Sequence, residues 1–554
     1  MSPATVMRER YGLSKSQAAA MIDTSDVLLL ACPGSGKTLA VAGRIAWQVS
    51  RGTRLALLSF TNVGAQEISR VAAAQHDVVL TSDHFSGTLH SFLARYVLQP
   101  FGHLITGSSV SMRIDQDGAN AFSPSGLTLS DYEYDLSHSV RHSKGWSKSE
   151  NVLTAVAKAK QTAGAAGLVS QSDSLYIAYR VLTDYPHLAS AFASRTDEVI
   201  IDEAQDTNAL QFACLEILRT RGLKSIVLVG DYDQTIYEFG GSSPDACEAF
   251  ANKNNLKTHK LVENWRSSQV VCDIASNFRL NKTPDVAVGP HAAESTTPRL
   301  FLYPPESPAG LQEQFAAALN DAGIAGQSRA ILSYAGSLAD SIRGHKLPKL
   351  PTLLSELVAY KKDPTAITIE SYRILERALA KRSFGSEQPK LDRLLVRGHV
   401  ASVLSRIPPL SGDLATWSCA ALEVFDSAAA ALADSVYLHG APTPVPDSWK
   451  AVGLDKFAAI DRDASELKIG TIHSVKGKSI DAVLLVAEHH TNQNHPSNAD
   501  VWSSAILKSP PFVPESLRLA YVAVTRARRF IAVALPTTTP KVIVDRYTAA
   551  GFTL

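Results

Sequence analysis

Short apolar runs punctuate this chain at wide intervals. Val27-Leu28-Leu29-Leu30, Glu198-Val199-Ile200-Ile201, Ser225-Ile226-Val227-Leu228-Val229 and Phe530-Ile531-Ala532-Val533-Ala534-Leu535 are too short for helices and predict strands buried within a sheet. An amphipathic stretch follows the first run, and further helical patterns lie around 152–161 and 174–193, with a polar Ser/Gly-rich interval at 107–126. The region 346–465 reads as helices with few β-branched runs, ending in Ala441-Pro442-Thr443-Pro444-Val445-Pro446. Within it, Arg373, Arg377 and Lys381 recur every four residues opposite Tyr372, Leu375 and Leu379. This reads as a solvated helix face rather than a basic stripe for duplex DNA. No internal repeat or heptad run stands out.

Composition adds bounds to this pattern. A chain of 554 residues, 45% hydrophobic, suits three or four compact units. No run of 18 apolar residues occurs, so no membrane span is expected. The opening Met1-Ser2-Pro3-Ala4 has no secretory pattern. Cys32, Cys214, Cys247, Cys272 and Cys419 are scattered without a paired motif, which argues against a zinc site or disulfide framework and for a cytoplasmic setting. His489-His490-Thr491-Asn492-Gln493-Asn494-His495 lacks a Cys or carboxylate at ligand spacing, and no metal is expected there. The net charge of +1 gives no global attraction to nucleic acid, yet a motor can hold DNA in a narrow groove while its outer surface stays neutral.

Two segments carry the chemistry. Ala31-Cys32-Pro33-Gly34-Ser35-Gly36-Lys37-Thr38 joins the first predicted strand to the amphipathic helix. Its glycines free backbone N–H groups to face an anion, and the helix N-terminus adds its dipole. Gly34, Ser35 and Gly36 would cradle phosphates, Lys37 would reach the β and γ phosphates of ATP, and the Thr38 hydroxyl would hold Mg²⁺. In Ile200-Ile201-Asp202-Glu203-Ala204-Gln205-Asp206, two carboxylates end the second run; Asp202 suits the metal and Glu203 the orientation of an attacking water. The pair predicts an ATPase. Ahead of the loop, Gln17 could pair with adenine N6 and N7.

Further segments follow in order: Ser59-Phe60-Thr61-Asn62-Val63, Gly87-Thr88-Leu89-His90-Ser91-Phe92, Gly230-Asp231-Tyr232-Asp233-Gln234-Thr235-Ile236-Tyr237-Glu238-Phe239, Glu263-Asn264-Trp265-Arg266-Ser267, Thr471-Ile472-His473-Ser474-Val475-Lys476-Gly477 and Leu519-Ala520-Tyr521-Val522-Ala523-Val524-Thr525-Arg526-Ala527. In this order they resemble the superfamily 1A DNA helicases of the UvrD/Rep/PcrA type, from about Gln17 to Arg528.

The resemblance implies an α/β fold of two RecA-like P-loop NTPase cores with parallel sheets, each carrying a mainly helical insertion. The first core would take 1–95 and 196–262, with a 1B-like insertion at 96–195. The second would take 263–345 and 466–554, with a shortened 2B-like insertion at 346–465. It further implies that Gln234 senses the γ-phosphate, that Arg266 and Arg526 neutralise charge on the transferred phosphoryl group, and that Trp265 stacks on adenine. Phe60, Thr61, Asn62, Thr88, His90, Tyr237 and Phe239, with His473, Ser474 and Lys476, would contact single-stranded DNA. The implied enzyme is an ATP hydrolase and 3′–5′ helicase acting on single-stranded or tailed DNA.

Departures from the family pattern shape the expected activity. Leu39 and Val63 replace an Arg and a Lys, Gly240-Gly241 stands where Arg-Gly is usual, and Lys478-Ser479-Ile480 replaces Leu-Glu-Phe. Hydrolysis should survive these changes, because Lys37, Glu203, Gln234, Arg266 and Arg526 are present; unwinding is what they weaken. The second reading is therefore a DNA-activated ATPase or sensor working beside a nuclease, like the helicase-like component of Gabija-type anti-phage systems. A non-hydrolysing scaffold fits poorly with the intact catalytic set.

Overall fold

A computed structural model of the protein describes residues 3–23, 25–143, 145–235, 244–279, 283–324, 327–344, 350–362, 364, 369–385, 393–435, 437–440, 443–454, 467–488, 498 and 514–554. The chain packs as two units, the first formed by Met1–Leu300, Val475–Ser479 and Ala487–Leu554 and the second by Phe301–Ser474 and Ile480–Val486. The architecture is mixed α/β with parallel sheets.

The first unit is built on six strands: β1 (Val27–Ala31), β2 (Leu55–Ser59), β3 (Phe85–Thr88), β4 (Glu198–Asp202), β5 (Ser225–Gly230) and β6 (Lys257–Leu261). Their order across the sheet is β6-β1-β5-β4-β2-β3, with every pairing parallel. Alternation along the strands explains the apolar runs. Leu28, Leu58, Val199, Ile201, Ile226 and Leu228 enter one core, while Val27, Leu29, Leu57, Ile200, Val227 and Val229 enter the other. A parallel sheet must be covered on both faces, so both alternating sets are apolar. The sheet order reverses beside β1, and its strand ends there open onto loops, the place where such sheets bind ligands.

Helix Lys37–Val49 covers one face, locked by a buried ion pair in which Arg44 Nη2 meets a Glu198 carboxylate oxygen at 2.6 Å. Arg44 also donates to the carbonyls of Met21 and Asp23, so one side chain ties β4 to the end of helix Lys15–Met21. The interval after β3 is mainly helical, with Glu150–Ala165, Gln171–Asp184 and Pro186–Ala193 beside the hairpin strands Tyr132–Tyr134 and Val140–His142. The helix expected over 174–193 is broken at Tyr185, because Pro186 has no N–H to continue it and starts a new one.

In the second unit, strand Arg329–Ser333 lies between Leu467–Thr471 and Ile480–Val486, parallel to both. Helices Thr352–Lys362, Ile369–Phe384, Arg393–Arg406 and Leu414–Ala433 enclose a core that includes Leu357, Leu375, Leu379, Val403, Trp417 and Phe425. Arg373, Arg377 and Lys381 are exposed on the face opposite Leu375 and Leu379. Among the described residues no helix is long and apolar enough to cross a membrane. Tyr237, Phe239, Gly240, His489, His490 and His495 lie outside the described residues.

Candidate active site

The loop after β1 turns on two glycines with positive φ, Gly34 at 78° and Gly36 at 76°. Any side chain would fail there for space as well as strain. A Cβ on Gly36 would sit 2.6 Å from Gln17 Nε2, and one on Gly34 would sit 2.6 Å from Arg266 Cβ and Asn264 Oδ1. Gln17 Nε2 donates to the Ser35 carbonyl at 2.7 Å, and its Oε1 accepts from Ser14 N–H at 2.8 Å. The Gln17 amide thus ties the loop to the N-terminus of helix Lys15–Met21. Lys37 Nζ reaches back to the Ala31 carbonyl at 3.3 Å, and the Trp265 N–H donates to the Gly34 carbonyl at 2.8 Å. The Trp265 ring itself is 46% exposed, free to meet a planar group beside the loop. Ser35 Oγ is buried without a partner among the described residues, a polar atom directed to this loop with an unmet hydrogen bond.

Asp202 and Glu203 stand at the end of β4, the strand two places from β1 across β5. Glu203 adopts a left-handed conformation, φ 54° and ψ 44°, unusual for a side-chain-bearing residue and a cost accepted only where the surroundings hold it. Its carboxylate accepts from Gln205 Nε2, and Gln205 Oε1 in turn accepts from the Asp231 N–H at 3.1 Å. Burial and the Glu203 charge push Asp202 above the ordinary carboxylate range. For Glu203, burial acts upward, but Lys37, Lys476, Gln205 and Arg526 outweigh it and keep the carboxylate ionised. The two adjacent carboxyls are driven apart, one favouring a proton or cation and one staying a charged acceptor. A Mg²⁺ ion is held by few protein oxygens and keeps its other ligands from water and phosphate. Thr38 is the second residue of the helix after the loop and Asp202 ends β4, and a cation bound at Asp202 would offset its burial penalty.

The turn Tyr232–Gln234 follows β5 and links the acids to the arginines. Gln234 Nε2 donates to Asp231 Oδ2 at 2.9 Å, while Gln234 Oε1 accepts from Arg526 Nη2 at 2.9 Å. Arg526, almost fully buried at the end of helix Pro514–Val524, also donates to the Val522 carbonyl at 3.0 Å. Arg266 donates to the Thr525 carbonyl at 3.0 Å. Burial, then Arg526 and Arg528, bring the Arg266 pKa down to about 9. Two guanidiniums so close and poorly solvated are unfavourable alone, and an anion between them would relieve both.

A second region, a cleft of about 430 Å³, lies where β2, β3 and the insertion meet. Phe60, Thr88 and His90 line it with Ser170, Gln171, Thr207, Asn208 and Gln211. Phe60 is 44% exposed; Thr61 caps helix Asn62–His76 through the Gly64 N–H, and Asn62 is the exposed first residue of that helix. Thr88 caps helix Leu89–Leu93 in a reciprocal box with Ser91. His90 Nε2 lies 2.9 Å from Ser174 Oγ, and burial lowers its pKa to about 4, so the ring is neutral at physiological pH. The insertion residues and Asn208 and Gln211 had no sequence signal, since hydroxyls and amides carry no distinctive spacing. Lys476 pairs with Asp206 at 2.7 Å at the edge of this region. In the second unit, Ser474 Oγ donates to the Thr471 carbonyl at 2.7 Å and the His473 ring lies 6.3 Å from that of Tyr334.

Comparison with known proteins extends this picture. The UvrD/REP helicase N-terminal domain matches residues 13–136 and 110–255. DNA helicase II of Haemophilus influenzae is 26% identical over 290 residues, covering 46% of this chain and 38% of that protein. DNA helicase II of Escherichia coli K12 is 26% identical over 297 residues, covering 48% of this chain and 41% of that protein. An ATP-dependent helicase/nuclease subunit from Natranaerobius thermophilus is 37% identical over 119 residues, or 19% of this chain and 9% of that protein. The aligned part thus spans about two fifths of the two helicase II relatives' length.

Proposed function

We propose that this chain, whose residues 13–255 match the UvrD/REP helicase N-terminal domain, is a superfamily 1A-type, DNA-dependent ATP hydrolase that moves 3′ to 5′ along single-stranded DNA. The observation that carries this reading is the bond from Arg526 to Gln234. It joins the turn after β5 to an arginine 292 residues later in the sequence. In this reading Lys37 and the loop N–H groups hold the β and γ phosphates, Thr38 and Asp202 hold Mg²⁺, and Glu203 orients water. Gln234 contacts the γ-phosphate, and Arg266 and Arg526 neutralise charge as the phosphoryl group leaves. Trp265 stacks on the adenine, while Phe60, Thr61, Asn62, Thr88 and His90 hold the strand without choosing its sequence. His473, Ser474, Lys476, Tyr237 and Phe239 complete the proposed strand contacts.

A second reading keeps the ATPase and drops the unwinding. Val63, 69% exposed on the first turn of helix Asn62–His76, gives that turn no cation for a backbone phosphate. A DNA-activated ATPase or sensor working beside a nuclease would tolerate that loss, and one relative carries helicase/nuclease in its name. The two readings separate in one assay. ATP hydrolysis is measured with and without single-stranded DNA, alongside separation of duplexes bearing a 3′ or a 5′ tail. Stimulated hydrolysis with separation only from the 3′ tail supports the motor; stimulation with no separation supports the sensor. Unchanged hydrolysis in Lys37→Ala and Glu203→Gln would remove the basis for both.

A further inference from the structure

Arg279 lies just beyond helix Gln269–Ser276, outside every motif that identifies the nucleotide site. Its side chain is 18% exposed and bonded at two ends. Nε meets Asp233 Oδ2 at 2.8 Å, and Nη1 meets Asp285 Oδ1 at 2.9 Å. The guanidinium also lies 5.4 Å from the centre of the Tyr521 ring, within cation–π range. Burial works against its charge, but Tyr521, Asp231, Asp285 and Asp233 outweigh that effect and keep it charged.

What Arg279 grips is the turn after β5. Asp233 immediately precedes Gln234, and the same turn is held at Asp231 by Gln205 and at Gln234 by Arg526. Tyr521, under the guanidinium, belongs to helix Pro514–Val524, the helix that leads into Arg526. Side chains of Gln205, Arg279 and Arg526 thus hold the short segment Asp231–Gln234, and Arg279 belongs to no recognised motif. The sequence also lacks an arginine after Phe239, having Gly240-Gly241 there.

We propose that Arg279 is a positioning residue for hydrolysis: by clamping Asp233 it keeps Gln234 aligned with Arg526, so that events on the strand side of the turn reach the phosphates. It acts on the turn through Asp233, with Tyr521 packed under its guanidinium. Asp285 orients the guanidinium from behind. This inference rests on the ATPase reading above and adds a residue that the reading does not require.

The experiment is a double-mutant cycle in the full chain, with ATP hydrolysis measured at saturating single-stranded oligonucleotide. Arg279→Met should lower kcat about 10-fold while the KM for ATP stays within about twofold, the pattern of a lost alignment rather than lost binding. Asp233→Asn should reproduce that loss, and the double variant should be no worse than either single one. Arg279→Lys, which can still pair with Asp233, should recover part of kcat. Thermal unfolding of each variant guards against a folding defect, and Asp233→Asn gives a second route to the answer should Arg279→Met fail to fold. Additive losses, a parallel rise in KM, or a wild-type kcat in Arg279→Met would each overturn the clamp. Failure of the ATPase reading is separately visible: the wild-type chain would then show no hydrolysis above Lys37→Ala, whatever Arg279 does.

Discussion

The proposed nucleotide site and the proposed strand cleft lie in the same unit and are built in opposite ways. Around Glu203, Gln234 and Arg526, buried polar side chains bond to one another, and Gln205, Gln234 and Arg526 are nearly fully buried. Around Phe60, Thr88 and His90, hydroxyls and amides line a cleft together with the carboxylates of Glu133 and Asp206, the latter paired with Lys476, and Phe60 is nearly half exposed. Phosphoryl transfer gains from dipoles and charges fixed before the reaction begins, in a poorly solvated place where they count most. Holding a moving strand gains from weak contacts that accept any base and release it again. The first region should therefore be brittle to substitution and the second forgiving.

Substitutions can break that contrast in a ranked way. The largest expected effect is Arg526→Ala, for which a loss of about 1000-fold in DNA-stimulated kcat follows from removing a charge-neutralising guanidinium. Phosphate release at saturating ATP measures it. A loss below tenfold would mean that the rigid region is not the reacting one. Next comes the support under that region. Arg44→Met would leave Glu198 buried without its partner and should destabilise the fold by about 3–5 kcal/mol, read from the midpoint of urea unfolding. An unshifted midpoint would show that helix Lys37–Val49 is held by packing alone.

The cleft should respond more gently. Phe60→Ala should weaken binding of a fluorescent oligonucleotide by about 1–3 kcal/mol, with kcat at saturating DNA unchanged. An equal loss in kcat would blur the distinction between the two regions. The smallest effect is a pH dependence. His90 is held neutral, with its pKa lowered to about 4 from the ordinary 6.5, so the unfolded chain takes up a proton here before the folded one does. Its contribution is intact above about pH 6.5 and is lost as pH falls towards 4. His90→Asn should flatten that part of the stability profile; an unchanged acid limb would contradict the assignment.

The same contrast explains what could be read from the residues alone. Lys37, Asp202, Glu203, Gln234, Arg266 and Arg526, the residues proposed for the nucleotide site, stand out in the sequence because phosphate chemistry demands particular residue types at fixed offsets from a strand end. Strands β1, β4 and β5, neighbours in the middle of the six-stranded sheet, were foreshadowed by their apolar runs, since a buried parallel strand needs apolar side chains on both faces; the polar edge strand β6 was not. Gln17 was legible as a position but not as a brace for the Ser35 carbonyl, a role that depends on a contact across 18 residues. Arg279 and Asp233 are 46 residues apart, and Ser174 and His90 are 84 apart. Nothing local distinguishes such residues from any surface arginine or helix serine. The break at Pro186 was visible in principle, because a proline inside a helical pattern ends the helix before it.

The central claim is that the acidic pair, Gln234 and Arg526 form one hydrolytic site answering to DNA. Steady-state ATP hydrolysis by the wild-type chain and by Glu203→Gln, each with and without a single-stranded oligonucleotide, tests it most directly. The account predicts hydrolysis that rises with DNA in the wild type and is lost in Glu203→Gln under both conditions. Hydrolysis indifferent to DNA, or a Glu203→Gln variant as active as the wild type, would contradict it.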